Sequence, residues 1–428
     1  MLLLEELRKL EREGRPLRLG CHGAGWMGGG LAAQIERTPG MEVAVLADPH
    51  PEAARQALEA AGVSAEAIVL CDTPEAAAEA LATGQRVVTA DPTLAAQLAA
   101  INAVVDATTS PAAGAAVAMA GIAGGKDVVL LNPETDATVG HVLRRRAAQA
   151  GVLYTVASGN PAGCLMALWE EVALLGLEPI AIGAAVLPLR LDATPDDMPG
   201  DDLSWPEPAL AAAQADGTQL AFAMTSAANA TGCVPMRRGL VGPEADLNTV
   251  TLVFMLREDG GISTRPGVVD FVQSRSMGGG VFITCRAPAG RARSDLRRLA
   301  VGNGKYATLY RPRCLWFVEA PISIAEACLW RKVTLAPVGW PTADAVAVAK
   351  RDLQPGDLLD GFGGYTFRAV VEPFEAAQSA DALPAGLAPG AQMVEPVRKG
   401  DVIRRQQVTL DETSLLATLR REQDSYWE

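Results

Sequence analysis

The sequence predicts an α/β protein that begins with a doubly wound parallel sheet, continues into an α+β domain and ends in a small β-rich domain. Short apolar segments alternate with helical patterns through the first 157 residues, which is typical of βαβ units. A glycine-rich turn directly follows the first apolar segment. The chain is 49% hydrophobic but only 5% aromatic, and such small side chains let helices pack closely on a sheet.

The first part of the chain supplies the elements of the parallel sheet. Residues 1–13 form an amphipathic helical pattern, and strands are predicted at 16–21, 43–47, 87–89, 103–107, 127–131 and 152–156. Helices are predicted at 31–37, 51–61, 93–101, 111–123 and 138–150. Ligands bind at the carboxyl ends of the strands in such sheets, so the loops there are the first candidates for a site.

The rest of the chain has a different pattern. Helices are predicted at 164–175 and 214–230, strands at 250–257 and 280–286, and a loop or lid rich in proline and aspartate at 192–208. Short strands at 346–349 and 393–397, each next to a Gly/Pro turn, indicate a β-rich module. We therefore predict three domains, 1–157, 158–334 and 335–428.

Charge and composition narrow the possible partners. With 37 basic and 50 acidic residues the formal net charge is -13, which disfavours nucleic acid. No apolar run reaches about 18 residues, and the start of the chain is charged, so neither a membrane span nor a signal peptide is expected. The seven cysteines lack CxxC spacing and only three histidines occur. We expect a cytoplasmic protein with a small-molecule substrate and no metal.

The strongest local motif is the segment Gly23-Ala24-Gly25-Trp26-Met27-Gly28. It follows a strand and opens a helix, the context that the GxGxxG motif of a Rossmann-type dinucleotide-binding domain requires. Gly23 permits the tight turn, Gly25 lets a pyrophosphate approach the backbone, and Gly28 lets the helix pack on the strand. The positive end of the helix dipole then faces the phosphates. The alternative is a glycine-rich turn without a ligand.

Asp48 lies at the end of the second strand, 20 residues after Gly28. A carboxylate at this position binds the ribose hydroxyls of the adenosine half, which favours NAD over NADP. NADP remains the alternative cofactor, and Asp48 as a simple turn residue is the alternative role.

Two later loops are predicted to flank the nicotinamide. Thr108 and Asn132 can hydrogen-bond the carboxamide or the ribose, and Glu134 can order a water or a substrate hydroxyl. Loop and helix capping is the alternative role for each of them.

In the middle of the chain, charged residues occur in otherwise apolar sequence. Lys305 can act as a general acid or bind an anion, and Arg311 can clamp a carboxylate or phosphate. Solvated surface charge is the alternative. The sequence contains no GxSxG motif and no Ser-His-Asp order, so it gives no support for a hydrolase.

Several motifs together resemble a known group of proteins. The nucleotide-binding part is similar to that of homoserine dehydrogenases, and the middle part resembles the deoxyxylulose-phosphate-reductoisomerase-like proteins. The last part resembles a SAF domain. The segments that carry the resemblance are 23–28, 104–108, 128–134, 154–161, 216–218, 229–235, 259–270, 308–312 and 346–410.

The resemblance implies NAD(P)-dependent chemistry on a sugar phosphate or similar polyol, and a homo-oligomer. The sequence departs from the expected pattern at two lysines: residues 183–190 contain none, and Gln219 follows Asp216-Gly217-Thr218 where a lysine is expected. Loss of a cation changes which substrate charge is preferred.

We therefore predict an oxidoreductase that transfers hydride between NAD and a small polyol, sugar phosphate or related metabolite. Lys305 would supply the proton or stabilise an oxyanion, and Asn160, Asp216, Tyr310 and Arg311 would position the substrate. The alternatives are an isomerase or lyase that keeps NAD as an internal redox shuttle, and a non-catalytic dinucleotide sensor.

Overall fold

The computed structural model describes residues 2–198, 207–299 and 301–427. The chain forms two compact units. The first contains Met1–Asn160, Leu315–Ala336 and Thr418–Glu428, and the second contains Pro161–Cys314 and Pro337–Ala417. The division into three domains stays a prediction from the sequence.

The strands and helices alternate along the first part of the chain. The strands are β1 Leu17–His22, β2 Met41–Ala47, β3 Ile68–Leu70, β4 Arg86–Thr89, β5 Ala103–Asp106, β6 Asp127–Leu130, β7 Tyr154–Val156, β8 Glu178–Val186, β9 Val234–Pro235, β10 Val268–Gln273, β11 Gly280–Arg286, β12 Tyr306–Arg311, β13 Ala343–Ala349, β14 Phe367–Pro373, β15 Gln392–Met393 and β16 Val408–Thr409. The helices are α1 Leu3–Arg12, α2 Trp26–Arg37, α3 Pro51–Ala60, α4 Pro74–Ala82, α5 Leu94–Gln97, α6 Pro111–Ala123, α7 Pro133–Ala150, α8 Pro161–Leu174, α9 Pro208–Ala215, α10 Thr218–Thr231, α11 Val250–Val253, α12 Arg291–Arg298, α13 Ala320–Trp330, α14 Phe374–Ser379 and α15 Leu415–Asp424.

The first unit is built on a seven-stranded sheet with the order β3-β4-β2-β1-β5-β6-β7. Every pair of neighbouring strands in it is parallel. The chain adds strands on one side of β1 and then on the other, so the switch point lies between β1 and β5. This confirms the predicted Rossmann-type doubly wound sheet and places the expected ligand crevice at the carboxyl ends of β1 and β5.

Small residues explain how closely the helices approach this sheet. The strand residues Leu19, Val105 and Val129 are fully buried. A Cβ on Gly121 of α6 would lie 2.4 Å from a methyl group of Val104, which leaves no space for a side chain. The low aromatic content of the sequence is thus consistent with close packing of helices on this sheet.

The second unit contains a mixed five-stranded sheet with the order β12-β11-β8-β10-β9. The strands β8, β9 and β10 are parallel, while β11 is antiparallel to both β8 and β12. Two further antiparallel pairs, β13–β14 and β15–β16, belong to the same unit. The predicted α+β and β-rich character of the later chain is therefore present.

One predicted strand of the second unit is wrong, and one predicted helix begins later than expected. Residues 250–257 are not a strand but begin with the short helix α11, because Val250 and Phe254, four residues apart, both pack into the core around Phe282. Tertiary packing overrides the β-propensity of that segment. The predicted helix 214–230 corresponds to α10 except at its start, where residues 214 and 215 end α9 and Gly217, with a left-handed φ of 87°, separates the two helices.

Other differences concern boundaries and omissions. The helices α2 and α7 begin at Trp26 and Pro133, earlier than predicted, and α5 is shorter than the predicted helix 93–101. The elements that were not predicted from the sequence include β3, α4, β8, β10, α12, β12, α13, β14 and α14. Part of the predicted loop 192–208 lies outside the described residues. In the part of the chain that the structure describes, no helix is long and apolar enough to span a bilayer.

Candidate functional site

The glycine-rich turn joins β1 to α2 in the first unit. Gly23 has a φ of 91°, which favours glycine, and its N–H donates to the Ala47 carbonyl at 2.8 Å. A Cβ on Gly28 would lie 1.9 Å from the Gly23 carbonyl oxygen. The first turn of α2 therefore packs directly on the backbone of the turn, and both positions require glycine.

Gly25 differs from its neighbours because nothing in the protein explains it by packing. It precedes α2 with a φ of -65°, which any residue adopts, and a Cβ there would meet no atom within 4 Å. The open space lies at the amino end of α2, where the N–H groups of the first turn have no acceptor within the helix. This arrangement suits a phosphate that approaches the backbone.

Trp26 and Met27 are placed by packing within the first unit. The Trp26 ring meets Phe317 edge to face, with centroids 5.5 Å apart, and Met27 packs against the core under the sheet. Both residues thus anchor the start of α2. Their predicted cofactor contact stays a prediction.

Asp48 is bonded to the glycine-rich turn. Its Oδ2 accepts the Ala24 N–H at 2.8 Å and its Oδ1 accepts the His50 N–H at 2.8 Å. The carboxylate is half-buried, so it keeps a solvent-facing side on which a hydroxyl can donate to it. The structure thus brings Asp48 and the turn together, as the spacing of the motif requires.

Asp106 organises the next loop of the sheet edge. This buried carboxylate accepts the Thr108 N–H at 3.1 Å, the Thr108 hydroxyl at 2.8 Å and the Asn132 amide at 2.6 Å. Burial raises its pKa to about 6 against the effect of these donors. Asn132 also accepts the Thr135 N–H at 3.2 Å and so caps α7. Thr108 and Asn132 therefore do lie together, held by a residue that the sequence analysis did not select.

Glu134 lies in the first turn of α7 and is 3% exposed. Among the described residues its Oε2 has no hydrogen-bond partner. Burial, and then the charge of Asp106, raise its pKa to about 7. A carboxyl group with this pKa can either donate or accept a proton near neutral pH, as acid–base chemistry requires.

Asn160 is buried at the end of the first unit. Its amide donates to the Ala157 carbonyl at 3.1 Å and to the Leu131 carbonyl at 3.3 Å. It therefore joins the loops that follow β6 and β7, and this bonding fixes the loop backbone in which it lies.

In the second unit, Asp216 forms a buried ion pair that was not foreseen. Its carboxylate is completely buried, and Lys350 Nζ lies 2.6 Å from its Oδ2. Lys350 also donates to the carbonyls of Ala193 at 2.6 Å and Gly364 at 2.8 Å, so its ammonium group contacts two backbone carbonyls in addition to the carboxylate. Burial raises the pKa of Asp216, and Lys350 opposes this. The cation beside Asp216 thus comes from the β-rich part of the chain, not from position 219.

Lys305 is engaged by a neighbouring carboxylate. Its Nζ lies 2.6 Å from both oxygens of Asp259, and this contact lowers the pKa of Asp259. Lys305 precedes β12 and Arg311 ends it, so the two Cα atoms are roughly 20 Å apart along an extended strand. The structure therefore does not bring Lys305 and Arg311 together.

Tyr310 and Arg311 lie at the far end of β12. The Tyr310 hydroxyl donates to the Met277 carbonyl at 3.0 Å, and Arg311 Nε donates to the Arg313 carbonyl at 3.1 Å. The first contact supports the turn that precedes β11, and the second lies in the segment that follows β12. The catalytic roles of these residues, of Lys305 and of Asp216 stay predictions.

The middle of the chain matches a described protein family. Residues 159–320 match the family model for the catalytic domain of oxidoreductase DRL. This match supports an oxidoreductase and agrees with the coarse class predicted from the sequence. The homoserine-dehydrogenase-like and SAF resemblances stay predictions.

Beyond this match, the chain is similar to other known proteins only distantly. No curated protein sequence matches the chain. Similar solved structures include a probable dehydrogenase from Thermotoga maritima (12% identity, 74% of this chain and 90% of that chain, TM-score 0.40). They also include a putative myo-inositol dehydrogenase from Sinorhizobium meliloti 1021 (12%, 74% and 91%, 0.41) and GenD2 from gentamicin A biosynthesis in complex with NAD (14%, 76% and 89%, 0.37). Similarities this distant carry no information on the ligand or reaction of this chain.

Proposed function

We propose that the protein is an NAD-dependent oxidoreductase that transfers hydride between the nicotinamide and a small polyol, sugar phosphate or related hydroxy or keto metabolite. The observation that carries the proposal is the turn at Gly23–Gly28, which lies at the carboxyl end of β1, next to the switch point of the seven-stranded sheet, and is bonded to Asp48. The match of residues 159–320 to an oxidoreductase catalytic domain supports the redox class.

The residues at the carboxyl ends of β1 and β2 fit a dinucleotide. The space next to Gly25 and the amino end of α2 would receive the pyrophosphate, and Asp48 would accept from the ribose hydroxyls. A carboxylate here repels a 2′-phosphate, which favours NAD over NADP. When bound, the nicotinamide supplies the hydride acceptor or donor.

Glu134 is proposed to hold the proton that accompanies hydride transfer. It is buried, its Oε2 is unpartnered among the described residues, and its pKa of about 7 lets it exchange a proton at neutral pH. Asp106 supports it indirectly, because it orders Thr108 and Asn132 and raises the pKa of Glu134.

Calorimetry of the full-length protein with NAD⁺, NADH, NADP⁺ and NADPH tests the first step. We expect saturable binding with NAD(H) preferred. A panel of polyols and sugar phosphates then tests turnover through the absorbance of the reduced nicotinamide. If no dinucleotide binds, the proposal is wrong.

Two other outcomes support the alternative functions. NAD that co-purifies, with product formed but no net absorbance change, would indicate an isomerase or lyase with NAD as an internal shuttle. Dinucleotide binding without turnover of any substrate would indicate a sensor.

A further inference from the structure

The second unit contains a cavity of about 330 Å³. Of the site residues predicted from the sequence, Asp216 alone is among the residues that line it. Its walls are the start of α10, the end of β10, the first part of β14 and the loop 237–241. Three arginines line it: Arg237, Arg238 and Arg368. We call it the arginine cavity. Against these three arginines, the lining contains one carboxylate, that of Asp216.

Arg368 has no direct partner in the described part of the chain. It lies in β14 between the buried residues Phe367 and Ala369 and is itself half-buried. No acceptor there bonds its guanidinium, and no carboxylate there forms an ion pair with it. Burial lowers the pKa of Arg368, although Asp216 and Asp192 act in the opposite direction. A partly desolvated cation without a bonded anion is unfavourable for the folded protein, so its presence calls for a reason.

The other two arginines are held in place by the protein. Arg238 is ion-paired with Glu372 through its Nε. Arg237 donates to the carbonyls of Leu240 at 2.8 Å and Val241 at 3.3 Å, which orient the guanidinium without neutralising it.

The carboxylates near the arginine cavity do not neutralise it. Asp216, which lines the cavity, already has Lys350 as its cation. Asp270 lies within electrostatic range of Arg237 but forms no ion pair with it, since its oxygens accept the N–H groups of Val241, Gly242 and Phe271. Two positive charges, those of Arg237 and Arg368, therefore remain without a bonded counter-charge in the described residues.

The loop that carries Arg237 is fixed in an unusual conformation. Leu240 has a φ of 63°, a left-handed value that is costly for a residue with a side chain. The hydrogen bonds to Asp270 hold the following residues, and Gly242 lies so close to Phe271 that a Cβ would meet its ring at 2.2 Å. The arginine is thus presented on a constrained backbone, which lowers the entropy lost when a ligand binds.

We propose that the arginine cavity binds a small anionic metabolite through a carboxylate or phosphate group, with Arg368 and Arg237 as the cationic contacts. Planar guanidinium groups recognise both oxyanions through paired N–H donors. The cavity volume is at the lower end of the range for small-molecule sites, which suits a metabolite rather than a polymer. The inference goes beyond the proposed function, because anion binding here requires neither NAD nor hydride transfer.

The test is a titration of the full-length protein with inorganic phosphate and, separately, with malonate, at constant ionic strength and without dinucleotide. Wild-type protein is expected to bind at least one of them saturably, in the millimolar range typical of a fragment. Phosphate binding alone indicates a phosphorylated ligand, and malonate binding alone indicates a carboxylate. No saturable binding of either anion would overturn the proposal.

The variant Arg368→Gln is expected to weaken binding at least tenfold. The matched control is Arg291→Gln, which removes the same charge from an exposed arginine of α12 in the same unit and should bind as wild type does. Arg368→Lys keeps the charge but loses the paired donors, and an intermediate affinity is expected. Wild-type affinity in Arg368→Gln would place the anion elsewhere and refute the assignment.

A stability measurement separates a ligand-binding role from a structural one. Because Arg368 bonds no described group, the midpoint of thermal unfolding of Arg368→Gln without anion should equal or exceed that of wild type. A marked decrease would show that the guanidinium stabilises the fold. In that case the proposal stands only if Arg368→Lys, measured alongside, binds the anion more weakly than wild type at wild-type stability. Dinucleotide titration of the same variants tests the proposed function separately.

Discussion

The glycines of the β1–α2 turn allow packing and ligand approach to be tested separately. A methyl group at Gly28 would lie 1.9 Å from the carbonyl oxygen of Gly23, a backbone atom that no rotamer change can move. A methyl group at Gly25 would meet nothing within 4 Å. At Gly29 the nearest atom, the Ala24 oxygen, is 3.5 Å away, which is an ordinary contact. Alanine therefore causes a backbone clash at Gly28, reaches only open space at Gly25, and makes an ordinary contact at Gly29.

The expected magnitudes follow from these distances. Gly28→Ala forces α2 away from the turn, and overpacking of this kind costs about 1–3 kcal/mol. Gly29→Ala lies in a helix interior and should stabilise the protein by about 0.5–1 kcal/mol. Gly25 is the N-cap of α2, where alanine is less favourable than glycine, so Gly25→Ala should cost no more than about 1 kcal/mol. If its methyl group occupies the place of the pyrophosphate, NAD affinity should fall at least tenfold, or about 1.4 kcal/mol.

The three variants and wild type are compared by thermal unfolding without ligand, which measures stability. Calorimetric titration with NAD⁺ then measures the affinity of each for the dinucleotide. The decisive variant is Gly25→Ala, because it should fold normally and lose the dinucleotide. If it binds NAD⁺ as wild type does, the turn does not face the pyrophosphate. A stable Gly28→Ala variant would contradict the close packing of α2, and weak binding by Gly29→Ala would mean that any change in this helix affects the affinity.

Three further predictions concern charged groups. The pKa of Glu134 is raised from 4.5 to about 7, so the native state keeps this proton to higher pH than the unfolded state, and the free energy of unfolding falls as pH rises through this window. Glu134→Gln should therefore be more stable than wild type by about 2–3 kcal/mol at pH 8 and by little at pH 4.5. Urea unfolding that gives the same difference in stability between variant and wild type at both pH values would exclude this. Lys350→Met leaves Asp216 buried without its cation and should cost about 3–5 kcal/mol, most of which the double variant with Asp216→Asn should recover in thermal unfolding. Asp48→Ala removes the acceptor of the Ala24 N–H and should weaken NAD more than NADP; equal losses by calorimetry would limit Asp48 to supporting the turn.

The parallel sheet could be predicted because its signals are local. Each strand from β1 to β7, apart from the short β3, is a compact apolar run followed by a helical pattern, and Pro111–Ala123 was predicted with the bounds that the structure has. The second unit was harder because its sheet mixes parallel and antiparallel strands. There, β-branched composition was misleading: Val250 and Phe254 lie on one face of a helical turn, and only the core into which they pack decides that conformation.

The candidate site was predictable where its spacing is fixed by one turn, and not where distant segments meet. Gly23, Gly28 and Asp48 were found because βαβ geometry dictates their separation. Lys350 was missed because only the folded second unit brings it to Asp216.

Arg368 carried a signal that is readable in the sequence. It is a lone basic residue near the start of the apolar strand Phe367–Pro373, and charged residues are rarely buried unless they are paired. Lys305, which the sequence analysis did select, has Asp259 as its partner, whereas Arg368 bonds no group in the described residues. Local sequence identifies a cation, but only the fold shows whether the protein has already neutralised it. Arg368, which bonds no group in the described residues, is therefore a better candidate than Lys305 for contact with an anionic ligand.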